Sequence, residues 1–183
     1  LVSVLKPEIN TLMLDNIHQE VDALKNVALI NSSSHPELGE KISAYLGIPL
    51  TPCNLDQFSN TEVKVEINQN IRGKKVFIIS SLGCAIGKLS INDLKEEVYN
   101  LIDACRRAKG SAITLVCLSY PNSRQDKKDR PRVPIGASMN ARILETLGVK
   151  QLICLDLHAS QIQGNFSIPV DNMYAFPVIC NYV

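Results

Sequence analysis

The fold is decided by the segment Ala112-Ile113-Thr114-Leu115-Val116-Cys117-Leu118, which is followed closely by the charged stretch Arg124-Gln125-Asp126-Lys127-Lys128-Asp129-Arg130-Pro131-Arg132. The apolar segment is too short and too rich in β-branched residues for a helix, and it therefore predicts a buried strand. Pro121, Pro131 and Pro134 oppose a helix in the connection that follows. We therefore expect residues 124–132, the charged loop, to follow the end of a buried strand.

Apolar strands and helices alternate on both sides of this segment. Strands are predicted at 27–31, 49–54, 62–68, 75–80, 112–118 and 151–157, and helices at about 36–46, 91–109 and 135–147. Continuous apolar strands that alternate with helices are typical of an α/β fold with a parallel sheet and helices on both faces. In such sheets, ligands bind beyond the carboxyl ends of the strands. The charged loop is predicted to lie at that edge.

Length and charge limit the possible functions. The chain has 183 residues, enough for one medium-sized α/β domain. Its formal net charge of +1 provides no general attraction for nucleic acid or membrane, so any basic function must be local. No apolar run approaches the roughly 20 residues of a membrane span. The six cysteines are scattered without a CxxC pair, which argues against a disulfide framework or a zinc site and favours the cytoplasm.

The composition of the charged loop is suited to polyphosphate. Five cations and two carboxylates occur within its nine residues. An arginine can bind phosphate with two parallel donors, and a lysine adds a mobile point charge. From the charge pattern alone, a solvated surface loop with ordinary ion pairs is an equal alternative.

A second polar segment follows another predicted strand. Within residues 151–164, Asp156 and His158 occur where the apolar residues end. A single histidine in this position is more often structural than a ligand. Asp156 could either orient the imidazole of His158 or share a hydrated Mg²⁺ ion with it.

A third polar segment, Phe58-Ser59-Asn60-Thr61-Glu62, lies between two predicted strands. Phe58 could stack on a nucleobase while Asn60 and Glu62 contact the polar edge of that base. Alternatively, Phe58 could plug the edge of the sheet, with a polar turn after it.

The order and spacing of these three segments resemble the N-terminal half of ribose-phosphate diphosphokinase, the family that makes phosphoribosyl pyrophosphate (PRPP) from ATP and ribose 5-phosphate. The resemblance runs from about Val27 to about Val178 and includes Ile71-Arg72-Gly73 and Ile168-Pro169-Val170-Asp171-Asn172-Met173-Tyr174-Ala175. It implies a phosphoribosyltransferase-like (type I) ATP-binding domain at 27–178. A helical N-terminal extension is expected at 1–26, and the start of a connection to a second domain at 179–183.

The resemblance also implies a set of site residues and the cofactor Mg²⁺. His158 would be catalytic and would bind metal, with Asp156 as a further candidate ligand. The implied ATP-binding residues are Phe58, Asn60, Glu62, Arg124, Gln125, Asp126 and Lys127. The implied regulatory phosphate and ADP site contains Arg72, Ser160, Gln163, Asp171 and Asn172, although Asp171 and Asn172 could instead form a turn. Family sites between subunits imply a homo-oligomer of dimers that assemble to a hexamer.

The chain departs from the family pattern in three places. It ends at Val183, without the acidic loop for ribose 5-phosphate, the mobile loop with catalytic Lys and Arg, and a further Mg²⁺-binding carboxylate. We therefore expect this chain alone to be inactive. Asn122-Ser123 replaces the usual Tyr-Ala before Arg-Gln, and the segment 82–90 is slightly longer than usual.

Three interpretations of function follow. The first is a part of an active enzyme that transfers the diphosphoryl group of ATP to the 1-hydroxyl of ribose 5-phosphate, giving PRPP and AMP. The second is a non-catalytic regulatory or associated subunit of such an enzyme. The third is a general nucleotide-binding or RNA-binding module. The charged loop favours the first, and an aromatic content of only 5% argues against a stacking platform for RNA.

Overall fold

The strands form one parallel sheet with an antiparallel hairpin beside it. The computed structural model describes residues 26–82 and 89–182. The parallel sheet has the order β1-β4-β5-β6-β7, with β1 at Val27–Asn31, β4 at Lys75–Ser80, β5 at Ala112–Cys117, β6 at Gln151–Leu155 and β7 at Val170–Met173. The hairpin consists of β2 at Cys53–Gln57 and β3 at Val63–Ile67.

The helices begin and end at residues suited to those positions. They are α1 at Pro36–Leu46, α2 at Ile91–Arg107, α3 at Gly136–Leu147 and α4 at Phe176–Tyr182, and a 3₁₀-helix spans Ser160–Asn165. Pro36 lies at the start of α1, where the missing N–H has no intrahelical partner to lose. Gly47 and Gly148 end α1 and α3 with φ angles of +66° and +114°, which favour glycine.

Helices cover both faces of the sheet because its strands are apolar on both sides. In β4, Val76 and Ile78 belong to a large core with apolar residues of α2 and α3. The alternate residues Phe77 and Ile79 belong to a smaller core with Ile42 of α1. The predicted fold class is therefore confirmed. None of the helices in the described ranges is long and apolar enough to cross a membrane.

Two local expectations are corrected by the structure. The strand predicted at 49–54 begins later, at Cys53, and Leu50 forms only a single bridge to Leu29 of β1. The alternative that Asp171 and Asn172 form a turn is wrong, because both lie in β7 and pair with β6. The helix expected at 1–26 falls almost wholly outside the described residues, which begin at Asn26.

Candidate functional site

The candidate site is a cleft at the carboxyl edge of the parallel sheet. Since β4, β5 and β6 are neighbours, the segments that follow them meet at this edge. The cleft has a volume of about 620 Å³. Its lining comes from the end of β6, from the segments after β4, β5 and β6 and from the start of α2. Among the described residues it includes Leu82, Ile91, Asn92, Ser119, Tyr120, Pro121, Asn122, Ser123, Arg124, Gln125, Leu155, Asp156, Leu157 and His158.

The charged loop enters the cleft through a tight turn. The Gln125 N–H donates to the carbonyl of Asn122 over 2.8 Å, and the Gln125 carbonyl accepts the N–H of Ala137, in the first turn of α3, over 3.1 Å. A Cβ atom at Gly136 would lie 2.4 Å from Gln125 Oε1 and 2.9 Å from Asn122 Cβ. The absence of a side chain at Gly136 therefore lets the turn pack against α3. Arg124 is exposed on the wall of the cleft.

The next residue, Asp126, links the charged loop to the segment after β6. Its carboxylate accepts a hydrogen bond of 3.0 Å from Nε2 of Gln161 in the 3₁₀-helix. Asp126 is half-buried, and Lys127 beside it is exposed. Of the four predicted loop residues, Arg124 and Gln125 line the cleft, whereas Asp126 and Lys127 lie next to its lining.

The segment after β6 is anchored to β7 and brings two predicted residues to the cleft. Asp156 adopts a positive φ of 46°, and its N–H donates to the Met173 carbonyl over 2.8 Å. One carboxylate oxygen of Asp156 accepts the N–H of Ala175 over 3.2 Å. Asn172 Oδ1 accepts the N–H of Leu157 over 3.1 Å. Asp156 is thereby fixed to the residues after β7, while His158 remains exposed at the cleft.

The cleft residues suit a hydrated magnesium ion shared with phosphate. Asp156 supplies a carboxylate, the ligand type that Mg²⁺ prefers, and His158 lines the same wall. Among the described residues, no group of three His, Cys, Asp or Glu side chains could hold a metal by itself. Mg²⁺ commonly uses one or two carboxylates and completes its coordination with water and substrate phosphates. The side chains present fit that mode of binding.

The predicted adenine-binding residues lie at the tip of the hairpin, outside the cleft lining formed by the described residues. The Phe58 N–H donates to the Glu62 carbonyl over 2.8 Å, and Asn60 Oδ1 accepts the Glu62 N–H over 3.2 Å. The Phe58 side chain is 52% exposed, and Nζ of Lys64 lies 5.7 Å from its ring centre. Phe58 is therefore available for contact and does not plug the sheet edge.

The predicted regulatory residues are spread over two edges of the sheet. Arg72 precedes β4 and so lies at the amino edge, whereas Ser160 and Gln163 lie in the 3₁₀-helix beyond the carboxyl end of β6. Asp171 accepts a hydrogen bond of 2.6 Å from Nε2 of Gln151, and Asn172 anchors the segment before His158. A single chain does not bring these five residues together.

Sequence reasoning missed a buried polar residue behind the charged loop. Asn140 is completely buried in α3, on the same face as the buried Ala137, Ala141 and Leu144. Its side chain contacts Tyr99 of α2 and Asn122 of the turn that precedes the charged loop. A polar residue among apolar ones on the core face of a helix was the signal that could have revealed it.

Burial disfavours the charged forms of ionisable groups at the cleft and behind it. Burial raises the pKa of the Tyr99 and Tyr120 hydroxyls, and it raises the pKa of the Cys117 thiol to about 12.

Comparisons with known proteins identify the family of the chain. Residues 27–148 match the family model for the N-terminal domain of ribose phosphate pyrophosphokinase. The chain is 46% identical over 161 residues to ribose-phosphate pyrophosphokinase 4 of Saccharomyces cerevisiae, covering 88% of this chain and 48% of that protein. It is 42% identical over 161 residues to ribose-phosphate pyrophosphokinase 2 of Schizosaccharomyces pombe, covering 88% of this chain and 49% of that protein.

A solved structure shows the same fold. The crystal structure of phosphoribosylpyrophosphate synthetase from Mycobacterium smegmatis matches with a TM-score of 0.80 and 34% sequence identity, covering 86% of this chain and 51% of that one. The chain spans about half the length of the curated relatives it matches. Because the family model covers most of the described residues and the fold agrees, the chain belongs to the ribose-phosphate pyrophosphokinase family, of which it represents the N-terminal domain.

Proposed function

We propose that this chain supplies the ATP-binding half of a Mg²⁺-dependent ribose-phosphate diphosphokinase. One observation carries the proposal: in a chain of this family, Arg124 and Gln125 share one cleft with Asp156 and His158, at the edge where parallel sheets bind ligands. Residues 27–178 would form the ATP-binding domain, within a cytoplasmic enzyme. Ribose 5-phosphate would bind mostly to parts of the enzyme outside this chain.

In the proposed reaction, the 1-hydroxyl oxygen of ribose 5-phosphate attacks the β-phosphorus of ATP. The bond between that phosphorus and the oxygen bridging to the α-phosphate breaks, AMP leaves, and the hydroxyl proton passes to solvent. Such transfers need little covalent chemistry from the protein and depend on positioning and on the stabilisation of developing charge. We assign no general base among the residues of this chain.

The cleft residues would act mainly by binding and orienting the phosphates. Arg124 can donate two parallel N–H groups to phosphate oxygens, and Gln125 can donate its side-chain amide. Lys127 adds a positive charge, while Asp126 keeps the loop bound to Gln161. The hydrogen bonds within the turn would hold Arg124 and Gln125 in place for the developing charge, since reorganisation during the reaction would raise the barrier.

His158 and Asp156 would hold Mg²⁺ together with the phosphates of ATP. When bound, the ion would neutralise negative charge on the phosphates. The hydrogen bonds that fix Asp156 and Leu157 to the residues of β7 and after it would orient this pair before ATP arrives. His158 is the residue of this chain that we assign to catalysis.

The proposed enzyme is a homo-oligomer, with dimers assembling to a hexamer. Phe58, Asn60 and Glu62 would hold adenine in the cleft of a neighbouring subunit, which their exposed position at the hairpin tip supports. The separation of Arg72 from Ser160 and Gln163 within one chain is compatible with a phosphate or ADP site between subunits.

The first test is the intact mass of the natural protein, followed by an assay of the same material for PRPP formation from ATP and ribose 5-phosphate with Mg²⁺. We expect a subunit about twice this length, as in the curated relatives, and PRPP formation that requires Mg²⁺. His158→Ala and Arg124→Ala should each lower kcat/KM by about 10²-fold, as for the loss of one charge-stabilising group.

Two matched variants serve as controls. His35→Ala removes a histidine that precedes α1, and Arg130→Ala removes an exposed cation of the charged loop; both residues lie outside the cleft lining. Both variants should retain PRPP formation. A natural protein that is as short as this chain and makes no PRPP would overturn the proposal and favour a regulatory or associated subunit.

A further inference from the structure

We infer that Asn140 and Asn122 are positioning residues for the proposed phosphate-binding turn, and that they set its geometry from the core of the domain. The inference rests on the proposed function, because the turn carries Arg124 and Gln125. It concerns a chain of hydrogen bonds that runs from Tyr99 through Asn140 and Asn122 to Gln125.

The inner part of this hydrogen-bond network is fixed by burial. Asn140 is 0% exposed, so each polar atom of its amide needs a partner inside the protein. Oδ1 accepts a hydrogen bond of 3.0 Å from the Tyr99 hydroxyl. Nδ2 donates to Asn122 Oδ1 over 2.9 Å and approaches the Pro121 carbonyl at 3.4 Å. Because the Tyr99 O–H points at the amide oxygen, the amide nitrogen is directed to the loop.

The outer part of this hydrogen-bond network connects Asn122 to Gln125 of the turn in two ways. The Asn122 carbonyl accepts the Gln125 N–H over 2.8 Å, and Asn122 Nδ2 lies 3.4 Å from Gln125 Oε1. Asn122 also has a φ of +55°, a conformation in which asparagine is favoured over bulky residues. The bond from Asn140 therefore holds the residue on which the turn conformation depends.

This network gives the asparagine at position 122 a structural role. Asn122-Ser123 is one of the places where this chain departs from the pattern that the resemblance implies. Asparagine supplies an oxygen on a short side chain, which reaches the buried amide of Asn140. The polar residues at 122 and 140 therefore act as a pair, and replacement of either by an apolar residue removes the 2.9 Å hydrogen bond between them.

The test measures the dissociation constant for MgATP by calorimetry on the full-length protein, with thermal unfolding of each variant alongside. Asn140→Leu removes the buried amide, and Asn122→Gly removes the outer side chain while still allowing a positive φ. We expect each variant to weaken MgATP binding about two- to tenfold, the effect of one neutral hydrogen bond. The double variant should bind MgATP no more weakly than the single variant with the lower affinity, because both changes break the same hydrogen bond.

Ile102→Val is the matched control. Ile102 is completely buried in the same core, and its replacement lowers stability without removing a hydrogen bond. Its MgATP affinity should equal that of the wild type. The inference is overturned if Asn122→Gly binds MgATP normally, if the two effects simply add, or if Ile102→Val weakens binding as much. Asn122 is exposed, so its variant remains decisive even if Asn140→Leu fails to fold.

The proposed function is tested separately by the wild-type protein. If the wild type itself does not bind MgATP, the proposed function fails, and this inference fails with it. If the wild type binds MgATP and both network variants bind it equally well, only the inference fails.

Discussion

At the scale of single residues, Glu97 of α2 is a carboxylate buried away from the cleft. It is 1% exposed, and its Oε1 accepts the Ser33 N–H over 2.7 Å. Burial raises the pKa of Glu97, and the hydrogen bond from Ser33 opposes this only in part. Glu97 thus joins α2 to the loop between β1 and α1, and desolvation of its charged form opposes this folded arrangement.

We expect Glu97→Gln to remove a pH dependence of stability. Because the folded pKa lies above the ordinary value of 4.5, the folded state binds the proton more tightly than the unfolded state. This contribution to stability is fully present when the pH is below the ordinary pKa, and it is lost as the pH rises through the raised pKa of the folded state. Glutamine stays neutral and can still accept the Ser33 N–H. Urea denaturation at several pH values from mildly acidic to mildly alkaline should therefore show a smaller loss of unfolding free energy in the variant.

Glu96→Gln provides the control for this experiment. Glu96 is the neighbouring residue in α2 and is exposed, so its replacement should leave the pH dependence of the wild type unchanged. An equal pH dependence in wild type and Glu97→Gln would contradict the role assigned to burial.

At the scale of elements, α2 connects the main parts of the domain. It packs against β3 of the hairpin, against β4 and β5 of the sheet and against α3. Its start is fixed by a capping box: Ser90 Oγ accepts the Asp93 N–H over 3.2 Å, and an Asp93 carboxylate oxygen accepts the Ser90 N–H over 2.9 Å. The hydrogen bonds from Ser90 lower the pKa of Asp93. Ile91 and Asn92, which follow the cap, also line the cleft.

Ser90→Ala should lower the free energy of unfolding by about 1 kcal/mol, because it leaves the Asp93 N–H without its capping acceptor. Ser90→Thr keeps a hydroxyl at this position and should lower the free energy of unfolding by less. Chemical denaturation of the three proteins measures the difference. Equal stability of Ser90→Ala and the wild type would show that water replaces the cap at no cost.

At the scale of the whole molecule, the order of strands decides which residues share the cleft. The segments after β5 and β6 meet because these strands are neighbours, and β7 beside β6 anchors Asp156. Phe58 lies at the tip of the hairpin, outside the cleft lining formed by the described residues, and it is about half exposed. One chain therefore presents two separate sets of proposed ATP contacts, which under the proposed function a second subunit would combine into one site.

Complementation between variants tests this arrangement. Phe58→Ala and Arg124→Ala should each lose activity at low ATP concentration in the full-length protein. When the two variants exchange subunits, some sites combine a normal Phe58 with a normal Arg124. For random pairing in dimers, about one quarter of the sites should be restored. The measurement is PRPP formation by the mixture relative to each variant alone.

A mixture of Arg124→Ala with His158→Ala is the control. Both residues line the same cleft of one chain, so exchange of subunits cannot produce an intact site. This mixture should remain inactive. Recovery in the control, or none in the mixture with Phe58→Ala, would contradict a site shared between subunits.

Much of the architecture was predictable from the sequence because its signals are local. The helix predicted at about 36–46 and the strand predicted at 75–80 match α1 and β4, since apolar periodicity, Pro36 and Gly47 act within a few residues. The predicted segments of the cleft follow from the same pattern: polar residues such as Arg124 and His158 occur in the segments that follow apolar strands. Their roles in binding and catalysis stay predictions.

The rest was decided by tertiary structure, because it depends on contacts between residues far apart in the chain. The hydrogen bond between Gln161 and Asp126 joins residues 35 positions apart, and the hydrogen bond between Asn140 and Asn122 joins residues 18 positions apart. The short strand β7 has little periodicity of its own and forms through pairing with β6. Sequence alone determined which segments are apolar strands and which are polar loops, since side-chain chemistry sets that locally. Only packing of the sheet and helices decided which loops meet and which buried amide positions them, since burial obliges distant polar groups to find each other.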